Sequence, residues 1–420
     1  MRQIATFFTL YWCIYFPTCI AYNDLPGFSV IDEAMTGLLL VYTLMVRRPT
    51  RQDRHKWKEF GIFAAALAFF TVYGLTFGRN PEGVWLDFIQ EMRPYIIIYC
   101  TWILNPQFSR KQKQLMLTAL LATLFSWLIY HPEAATANTN AEFPILGQLA
   151  VCAAMGWYLL TEQTRRNAYI AAALILTGML APKFKFLGEI ICFIALIFFV
   201  KRKLRFHSIK SIVGMSLLLA VILYVTCEKF DVYYVKGFTD TDHYRMARPE
   251  TYKTALKILW DYLPFGSGMG SFACNGAWKH YSPIYYEYHL NRIWGLDPGG
   301  GFICDAYYPT LAQFGIVGVW LFFTFWKRRI KDFYLIRDMR YYRVALMAFL
   351  CLAIEQTADS SLLSGKGMGY CMIIGLCLNA NNQIRRKSKI SRYNRYRLMA
   401  YQQFNQGSDI KQHEEGISSR

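Results

Sequence analysis

Long apolar segments alternate with short polar ones along most of the 420-residue chain. Residues 60–77 and 211–226, for example, contain no charged side chain and lack the two-residue alternation of a half-buried strand. Helical segments of about 17–25 apolar residues match the thickness of the hydrocarbon core of a bilayer. The pattern therefore predicts an all-α polytopic membrane protein with about twelve transmembrane helices and one long extracytoplasmic loop.

The apolar segments also set the expected boundaries within a single transmembrane domain, residues 1–420. We predict transmembrane helices at about residues 4–20, 31–46, 60–77, 88–104, 115–130, 145–160, 168–182, 186–200, 211–227, 302–326, 343–358 and 368–380. Residues 228–301 form the one long loop between helices, and residues 381–420 form a basic tail. A loop far longer than the others is where function tends to concentrate.

Lysine and arginine residues are concentrated in every second connecting segment. The formal net charge is +18, and most of the 46 Lys and Arg residues lie in the tail and in runs such as 47–58, 201–210 and 327–343. The other short connections are poor in basic residues, which is the alternation that the positive-inside rule describes. The distribution of charge therefore predicts cytoplasmic termini and an extracytoplasmic loop, and it argues against a nucleic-acid partner.

The first apolar segment lacks the small-residue cleavage site of a signal peptide, so we expect it to remain as the first transmembrane helix.

The long loop contains a helical pattern of its own. Residues 249–262 repeat apolar side chains at three- and four-residue steps, with Lys253, Lys257 and Asp261 opposite, and Pro249 suits a first helical turn. We expect an amphipathic helix that rests on the outer membrane surface. The GxGxG pattern that follows, at 265–272, comes after a helix and not after a strand, which a dinucleotide site would require. We expect a bend that returns the chain to the membrane.

Cysteine spacing gives no sign of a metal site. Most of the eleven cysteines lie in predicted helices, where cysteine behaves as a small hydrophobe. Cys227, Cys274 and Cys304 lie in or beside the long loop, and a disulfide among them is an open alternative. The sequence has no CxxC or Cys/His spacing of a metal site and no acidic cluster, so we predict neither a metal nor a cofactor.

Several ionisable residues lie at the predicted outer ends of helices. Arg93 is near the start of the fourth helix, and Lys183 and Lys185 precede the eighth. Charges at membrane depth are costly and usually face protein or water, so these residues are candidates for binding an anionic ligand. The alternative is that their long side chains reach to the lipid–water interface without any further role.

Asp305 stands where the tenth apolar segment begins, and Tyr307 and Tyr308 follow it. An acidic residue at a helix N-terminus is often only a favourable partner of the helix dipole. The position of Asp305 alone therefore does not indicate a catalytic group.

Two stretches around this position carry recognisable motifs. ARPETYKTALKILWDYLPFGSGMGSF, at 247–272, is similar to a run of Arg, then W/Y-x-x-A-L, then P-x-x-G-x-G-x-G/S-F. CDAYYPTLAQFGIVG, at 304–318, is similar to a stretch of Ser-Asp or His-Asn, an aromatic, then L-A-x-x-G-x-x-G. In these motifs, and in the layout of helices and loop, the chain resembles the bacterial O-antigen ligase and surface-polysaccharide polymerase superfamily (Wzy-like).

The resemblance implies a metal-independent, membrane-embedded glycosyltransferase in the bacterial cytoplasmic (inner) membrane. Such enzymes transfer a glycan from a polyprenyl-diphosphate donor to a sugar hydroxyl at the outer face. The implied catalytic residues are Asp305 and Arg248, the former near the acceptor hydroxyl and the latter near the leaving diphosphate. Cations available for the donor diphosphate are Arg93, Lys183, Lys185 and Arg245. Residues suited to sugar contacts are Tyr307, Tyr308, Trp278 and His289.

The resemblance also bears on partners and on the acceptor. The expected partners are the lipid-linked oligosaccharide, membrane lipid and a chain-length regulator protein. Ligases of the superfamily carry a His near Asp305, whereas this chain has Cys304 before the Asp, and the Asp-aromatic-Pro form looks more like a polymerase of O-antigen or capsule type. His280 or His289 could substitute for that His, and loop aromatics could instead form a membrane-interface belt. An O-antigen ligase, a protein O-oligosaccharyltransferase and a lipid-linked glycan flippase remain alternatives.

Overall fold

In the part of the chain that can be described, all regular secondary structure is helical. The computed structural model describes residues 2–24, 30–50, 53–130, 143–180, 184–204 and 246–380, with a few isolated positions between 213 and 235. Within these ranges every regular element is a helix, so the predicted all-helical class is confirmed for them. The predicted helix 211–227 and the tail 381–420 lie outside the described residues.

Twelve longer helices form the framework of these ranges. They are α1 (Arg2–Asp24), α2 (Ile31–Val46), α3 (Arg54–Thr76), α4 (Val84–Leu104), α5 (Arg110–Tyr130), α6 (Phe143–Leu160), α7 (Arg165–Leu176), α8 (Phe184–Ile194), α9 (Ala247–Asp261), α10 (Gly315–Leu335), α11 (Met339–Glu355) and α12 (Gly365–Leu378). Shorter helical pieces are Pro81–Gly83, Thr177–Leu180, Ala195–Phe199, Asn275–Lys279, Ile284–Glu287, Leu290–Arg292, Tyr307–Thr310, Leu311–Phe314 and Ser361–Leu363.

The predicted helix 302–326 differs most from the observed structure. Its first residues form a turn, and the helical run begins at Tyr307, tightens over Leu311–Phe314 and continues as α10. Gly315 lies in the left-handed region at φ 62°, and its backbone touches that of Gly266, so a side chain there would collide with main-chain atoms. The contact interrupts the helix. At the other end α10 continues through a basic run because Lys and Arg are good helix formers.

Among the residues that the structure describes, three helical runs are long and apolar enough to cross a membrane, judged by length and composition. They are Arg54–Thr76, Arg110–Tyr130 and the run Tyr307–Leu335, and two shorter apolar helices cover Ile145–Leu160 and Gly367–Leu378. The bundle also exposes large apolar side chains such as Met45, Ile129 and Phe323. Exposed apolar surface on this scale is typical of a surface that contacts lipid or another protein.

The core of the bundle lies along α4 and α12, which pack against each other. Residues 96–104 of α4 and 367–378 of α12 are buried on all sides. A helix that is apolar all round must be surrounded by other elements. Helices α2 and α3 cover α4, while α6 and α11 cover α12. The surrounding helices therefore fix the positions of α4 and α12, including their ends.

Residues 246–306, which we name the cap, fold against one end of this bundle. The cap has its own small core, in which Ile258, Phe272 and Tyr285 are buried. Its helix α9 confirms the helix predicted at 249–262. The apolar side chains of this helix do not all face the same way. Ala255 faces the cap core, whereas Leu256 and Trp260 are exposed.

The GxGxG segment forms a buried turn that fixes the cap to the bundle. Gly270, at φ 82°, packs against the backbone of Gly83, leaving no room for a side chain. The Gln313 side-chain oxygen accepts the N–H groups of Gly270 (2.9 Å) and Ser271 (3.2 Å), and its amide donates to Asp87 Oδ2 at 2.6 Å. The segment thus serves as a structural bend, as its position after a helix predicted.

Candidate functional site

The two residues with predicted catalytic roles lie in contact, although 57 positions separate them in the chain. Arg248 belongs to the first turn of α9, and Asp305 lies in the turn before Tyr307. Arg248 Nε donates to Asp305 Oδ2 at 2.7 Å, and Arg248 Nη2 forms an ion pair with the same oxygen. The side chains are 18% and 22% exposed, so the pair is partly screened from solvent but accessible.

Burial raises the pKa of the Asp305 carboxyl above its ordinary value, while the Arg248 guanidinium acts in the opposite direction by stabilising the charged form. The nearby Asp359 adds to the increase and Lys185 opposes it. Asp305 therefore holds a proton more readily than an exposed aspartate does. The hydrogen bond and the ion pair from Arg248 both go to Oδ2, so Oδ1 is the oxygen better placed to accept a proton from a bound hydroxyl.

A second charged group lies beside this pair. Lys185, in the first turn of α8, forms an ion pair with Glu355 and lies 3.0 Å from Asp359 Oδ2. Ser361 Oγ donates to Glu355 Oε2 at 3.0 Å and accepts from Gln148 Nε2 at 3.0 Å. The group joins α6, α8 and α11, and it holds Lys185 between two carboxylates.

Hydrogen bonds between the cap and the end of α11 bring the two groups together. Ser360 Oγ donates to the carbonyl of Cys304, the residue before Asp305, at 2.6 Å. Tyr252 on α9 donates to the carbonyl of Thr357 at 2.9 Å. The site therefore combines Arg248 and Asp305 from the cap with Lys185 and its carboxylates from the bundle.

Arg93 lies in a third, deeper group. Only 3% of its side chain is exposed; it forms an ion pair with Glu33, approaches Asp32 Oδ2 at 3.8 Å and donates to the carbonyl of Leu363 at 3.2 Å. Leu363 belongs to the same short helix as Ser361, so this group adjoins that of Lys185. Arg93 joins α4 to α2, and its predicted role in donor binding stays a prediction.

The residues proposed for sugar contacts lie in three different environments. Tyr307 is fully buried and donates to Glu91 Oε2 at 3.1 Å, beneath the site. Tyr308 is half-buried and donates to the carbonyl of Ala353 at 3.0 Å. Trp278 and His289 are exposed on the cap, and in its described part no contact joins either residue to Asp305. Lys183 and Arg245 lie outside the described residues.

The cysteine thiols and the acidic side chains bear on the possible disulfide and on metal binding. Cys274 and Cys304 are free thiols, and Cys227, the third cysteine of the predicted alternative, lies outside the described residues. Within the described ranges no cluster of three His, Cys, Asp or Glu side chains could hold a metal ion.

Several contributing residues were not identified from the sequence. Asp32 and Glu33 lie at the end of α2 that meets Arg93. They could have been identified because both they and Arg93 are charged residues near the predicted outer ends of their helices. Gln148 and Ser361 are neutral and lie in segments that look like ordinary helix and loop, so no pattern marks them. Asp87 pairs with Gln313 through tertiary contact alone.

No protein-family model matches the chain, and no curated protein matches it either. The resemblance to the polysaccharide polymerases and ligases therefore rests on the two motifs at 247–272 and 304–318.

Proposed function

We propose that the chain is a polymerase of bacterial surface polysaccharide, of O-antigen or capsule type. It would transfer a glycan from a polyprenyl-diphosphate donor to a sugar hydroxyl at the outer face of the cytoplasmic membrane. The observation that carries the proposal is the contact between Arg248 and Asp305. Each residue comes from one of the two motifs of the resemblance, and the fold brings them to one partly exposed position.

The proposed reaction needs a base and a group that stabilises negative charge. The acceptor hydroxyl attacks the anomeric carbon of the donor, and its proton passes to Asp305. The bond between the anomeric carbon and the diphosphate oxygen breaks, and the lipid diphosphate leaves with the electron pair. The guanidinium of Arg248 orients Asp305 through Oδ2 and stabilises the charge that develops on the leaving group.

Lys185 is the described cation best placed to assist. It is close enough to affect the charge of Asp305, and its two carboxylate partners fix its position. A fixed cation in a site of low water content stabilises developing charge more than a mobile one. The proposed roles of Lys183 and Arg245 in binding the diphosphate, and of Trp278 and His289 in binding sugar, belong to the same hypothesis.

The proposed orientation places the cap outside and both termini in the cytoplasm. The basic ends of α3 and α10 lie at the end of the bundle away from the cap, as the positive-inside rule requires of a cytoplasmic face. With about twelve spans, the protein would be a multi-pass protein of the inner membrane. The exposed Leu256 and Trp260 of α9 would then lie at the level of the outer headgroups.

The acceptor distinguishes the polymerase from a ligase. A polymerase joins repeat units to one another, so its loss leaves surface glycan capped with a single unit. A ligase moves finished chains to another carrier, so its loss leaves no capped carrier. The aspartate that follows Cys304, in place of the His of the ligases, favours the polymerase.

The test is the size distribution of surface glycan in cells that carry Asp305→Asn in place of the native gene. The substitution keeps size and removes the carboxylate, so long chains should disappear while the protein stays in the membrane. The matched control is Asp261→Asn, which changes an exposed aspartate of α9 and should leave chain length unchanged.

Two outcomes contradict the proposal in different ways. Normal chain length in Asp305→Asn cells would mean that Asp305 serves only local structure, since the amide oxygen of asparagine can still accept the hydrogen bond from Arg248. Loss of the single-unit glycan in a deletion strain would instead indicate a ligase.

A further inference from the structure

A groove on the side of the bundle adjoins the site under the cap at Tyr307 and extends from there toward the opposite end of the bundle. It lies between α3 and α10, with α4 at its floor, and has a volume of about 280 Å³. Its walls are mainly apolar, and they include Phe63, Ala66 and Leu67 of α3 and Leu321, Phe322 and Phe325 of α10. Helix α3 is the least buried of the three candidate spans, so the groove lies at the edge of the bundle.

The two ends of the groove differ in charge. At the cap end the lining residues with polar groups are Glu91 and Tyr307, which hydrogen-bond to each other at 3.1 Å. At the opposite end the lining includes Glu59 and Arg328. Glu59 is already paired with Arg329, whereas Arg328 is exposed and has no ion pair within the described ranges. Arg328 is therefore the cation that the groove offers to a ligand.

The surroundings of Arg328 carry an excess of positive charge. Arg54, Lys58 and Lys327 are exposed at the same end and form no ion pair with any residue that the structure describes. Of the neighbouring acids, Glu59 and Asp332 share Arg329, and Asp53 lies 3.2 Å from Lys56, so the cations at this end still outnumber the carboxylates. This end of the groove is thus complementary to an anionic group.

The length of the groove suits one acyl chain. From Gly318 to Arg328, α10 rises by about 15 Å, ten residues at 1.5 Å each. This is about half of the 30 Å thickness of a hydrocarbon core and so the depth of a single leaflet. A lipid with its chain along Phe63 and Phe325 would place its headgroup beside Arg328.

We propose that this groove binds an anionic phospholipid of the cytoplasmic leaflet, with an acyl chain between α3 and α10 and its phosphate beside Arg328. Basic pockets between helices at a cytoplasmic face are suited to such headgroups. The donor lipid fits this groove poorly, because its diphosphate would have to lie at the cap end beside Glu91, where the lining offers no cation. The proposal rests on the membrane orientation given above and not on the transfer reaction.

The test is lipid retention, measured by native mass spectrometry on protein reconstituted in vesicles of equal parts phosphatidylethanolamine and phosphatidylglycerol and then extracted in mild detergent. We expect the retained lipid to be mainly phosphatidylglycerol. Arg328→Gln should lower the retained amount about fivefold, which corresponds to the roughly 1 kcal/mol that one basic residue contributes near a membrane surface. The matched control Lys327→Gln removes the same charge from an exposed neighbour that does not line the groove, so it should lower the retained amount much less than Arg328→Gln does.

A second pair of variants tests the groove itself. Ala66→Phe fills the groove and should abolish retention, whereas Ala64→Phe adds the same ring to an exposed position of α3 outside the lining and should not. If Ala66→Phe does not fold, the comparison of Arg328→Gln with Lys327→Gln decides alone. Equal retention of the two phospholipids, equal effects of the two glutamine variants, or polyprenyl diphosphate as the lipid retained from native membranes would each overturn the proposal. None of these measurements depends on transfer activity, so a failure here leaves the proposed function untouched.

Discussion

Replacing Arg93 with methionine would separate a structural role of this residue from a role in donor binding. The side chain of Arg93 is 3% exposed and lies between α4 and the acidic start of α2. Methionine keeps much of the volume and removes the charge. Glu33 and Asp32 would then lose their cation, and the carbonyl of Leu363 would lose a donor.

The expected cost follows from the burial of the partners. Breaking a buried ion pair from one side typically destabilises a protein by about 3–5 kcal/mol, because a charge is left without compensation. Glu33 is 28% exposed and can be hydrated in part, so we expect about 3 kcal/mol, the lower end of that range. Adding Glu33→Gln to the Arg93→Met variant should recover part of this loss, since one of the uncompensated charges is removed.

Denaturant unfolding of the purified protein in mixed micelles, followed by tryptophan fluorescence, measures this cost. The matched control is Arg79→Met, in which the same substitution removes a 50% exposed arginine that lies 3.8 Å from Glu287. Exposed pairs contribute about 1 kcal/mol or less, so the control should unfold close to the wild type. An Arg93→Met protein that unfolds like the wild type but no longer binds a polyprenyl-diphosphate oligosaccharide would refute the structural role.

Three further predictions concern topology, the cap and the pH dependence of the proposed reaction. Reporter fusions after Arg328 and within 270–290 should report opposite sides of the membrane, and two cytoplasmic signals would contradict the orientation. Gln313→Leu leaves the buried N–H of Ser271 without its acceptor and takes one of two donors from the Asp87 carboxylate, whose other donor is the N–H of Gly270 at 3.2 Å, so the cap should become sensitive to limited proteolysis, at a cost of about 2 kcal/mol. The base must be deprotonated, so activity should fall as the pH drops through the raised pKa of Asp305; Arg248→Gln removes the cation that lowers this pKa and should move the acid limb of the rate profile to higher pH.

Most helices of the described ranges lie close to their predicted bounds because each depends on a local pattern. Helix α2 was placed at its observed bounds, and α9 was placed within two residues from its spacing of apolar side chains. The helix predicted at 302–326 was placed wrongly at both ends. Its interruption at Gly315 depends on a backbone contact with Gly266, a residue distant in the chain, and no local periodicity encodes such a contact.

The candidate site was predictable only in part, for a related reason. Charged residues at helix ends, such as Arg93 and Lys185, can be recognised because charge is unusual beside apolar sequence. Their partners cannot be assigned without the fold, since Glu33 and Glu355 are 60 and 170 positions away from them. Pairing also changes the interpretation: Arg93 looked available for an anionic ligand, and the structure shows it bound to carboxylates.

The most direct test of the proposed function is the rate of glycan transfer by the purified protein in vesicles, with a polyprenyl-diphosphate-linked oligosaccharide as both donor and acceptor. If Asp305 is the base, Asp305→Asn should reduce turnover by about 10² to 10⁴, the usual contribution of general base catalysis. Binding of the donor, measured separately, should stay close to that of the wild type, because the carboxylate acts on the acceptor hydroxyl. Turnover of Asp305→Asn at the wild-type rate, or no transfer by the wild-type protein from any such donor, would contradict the account.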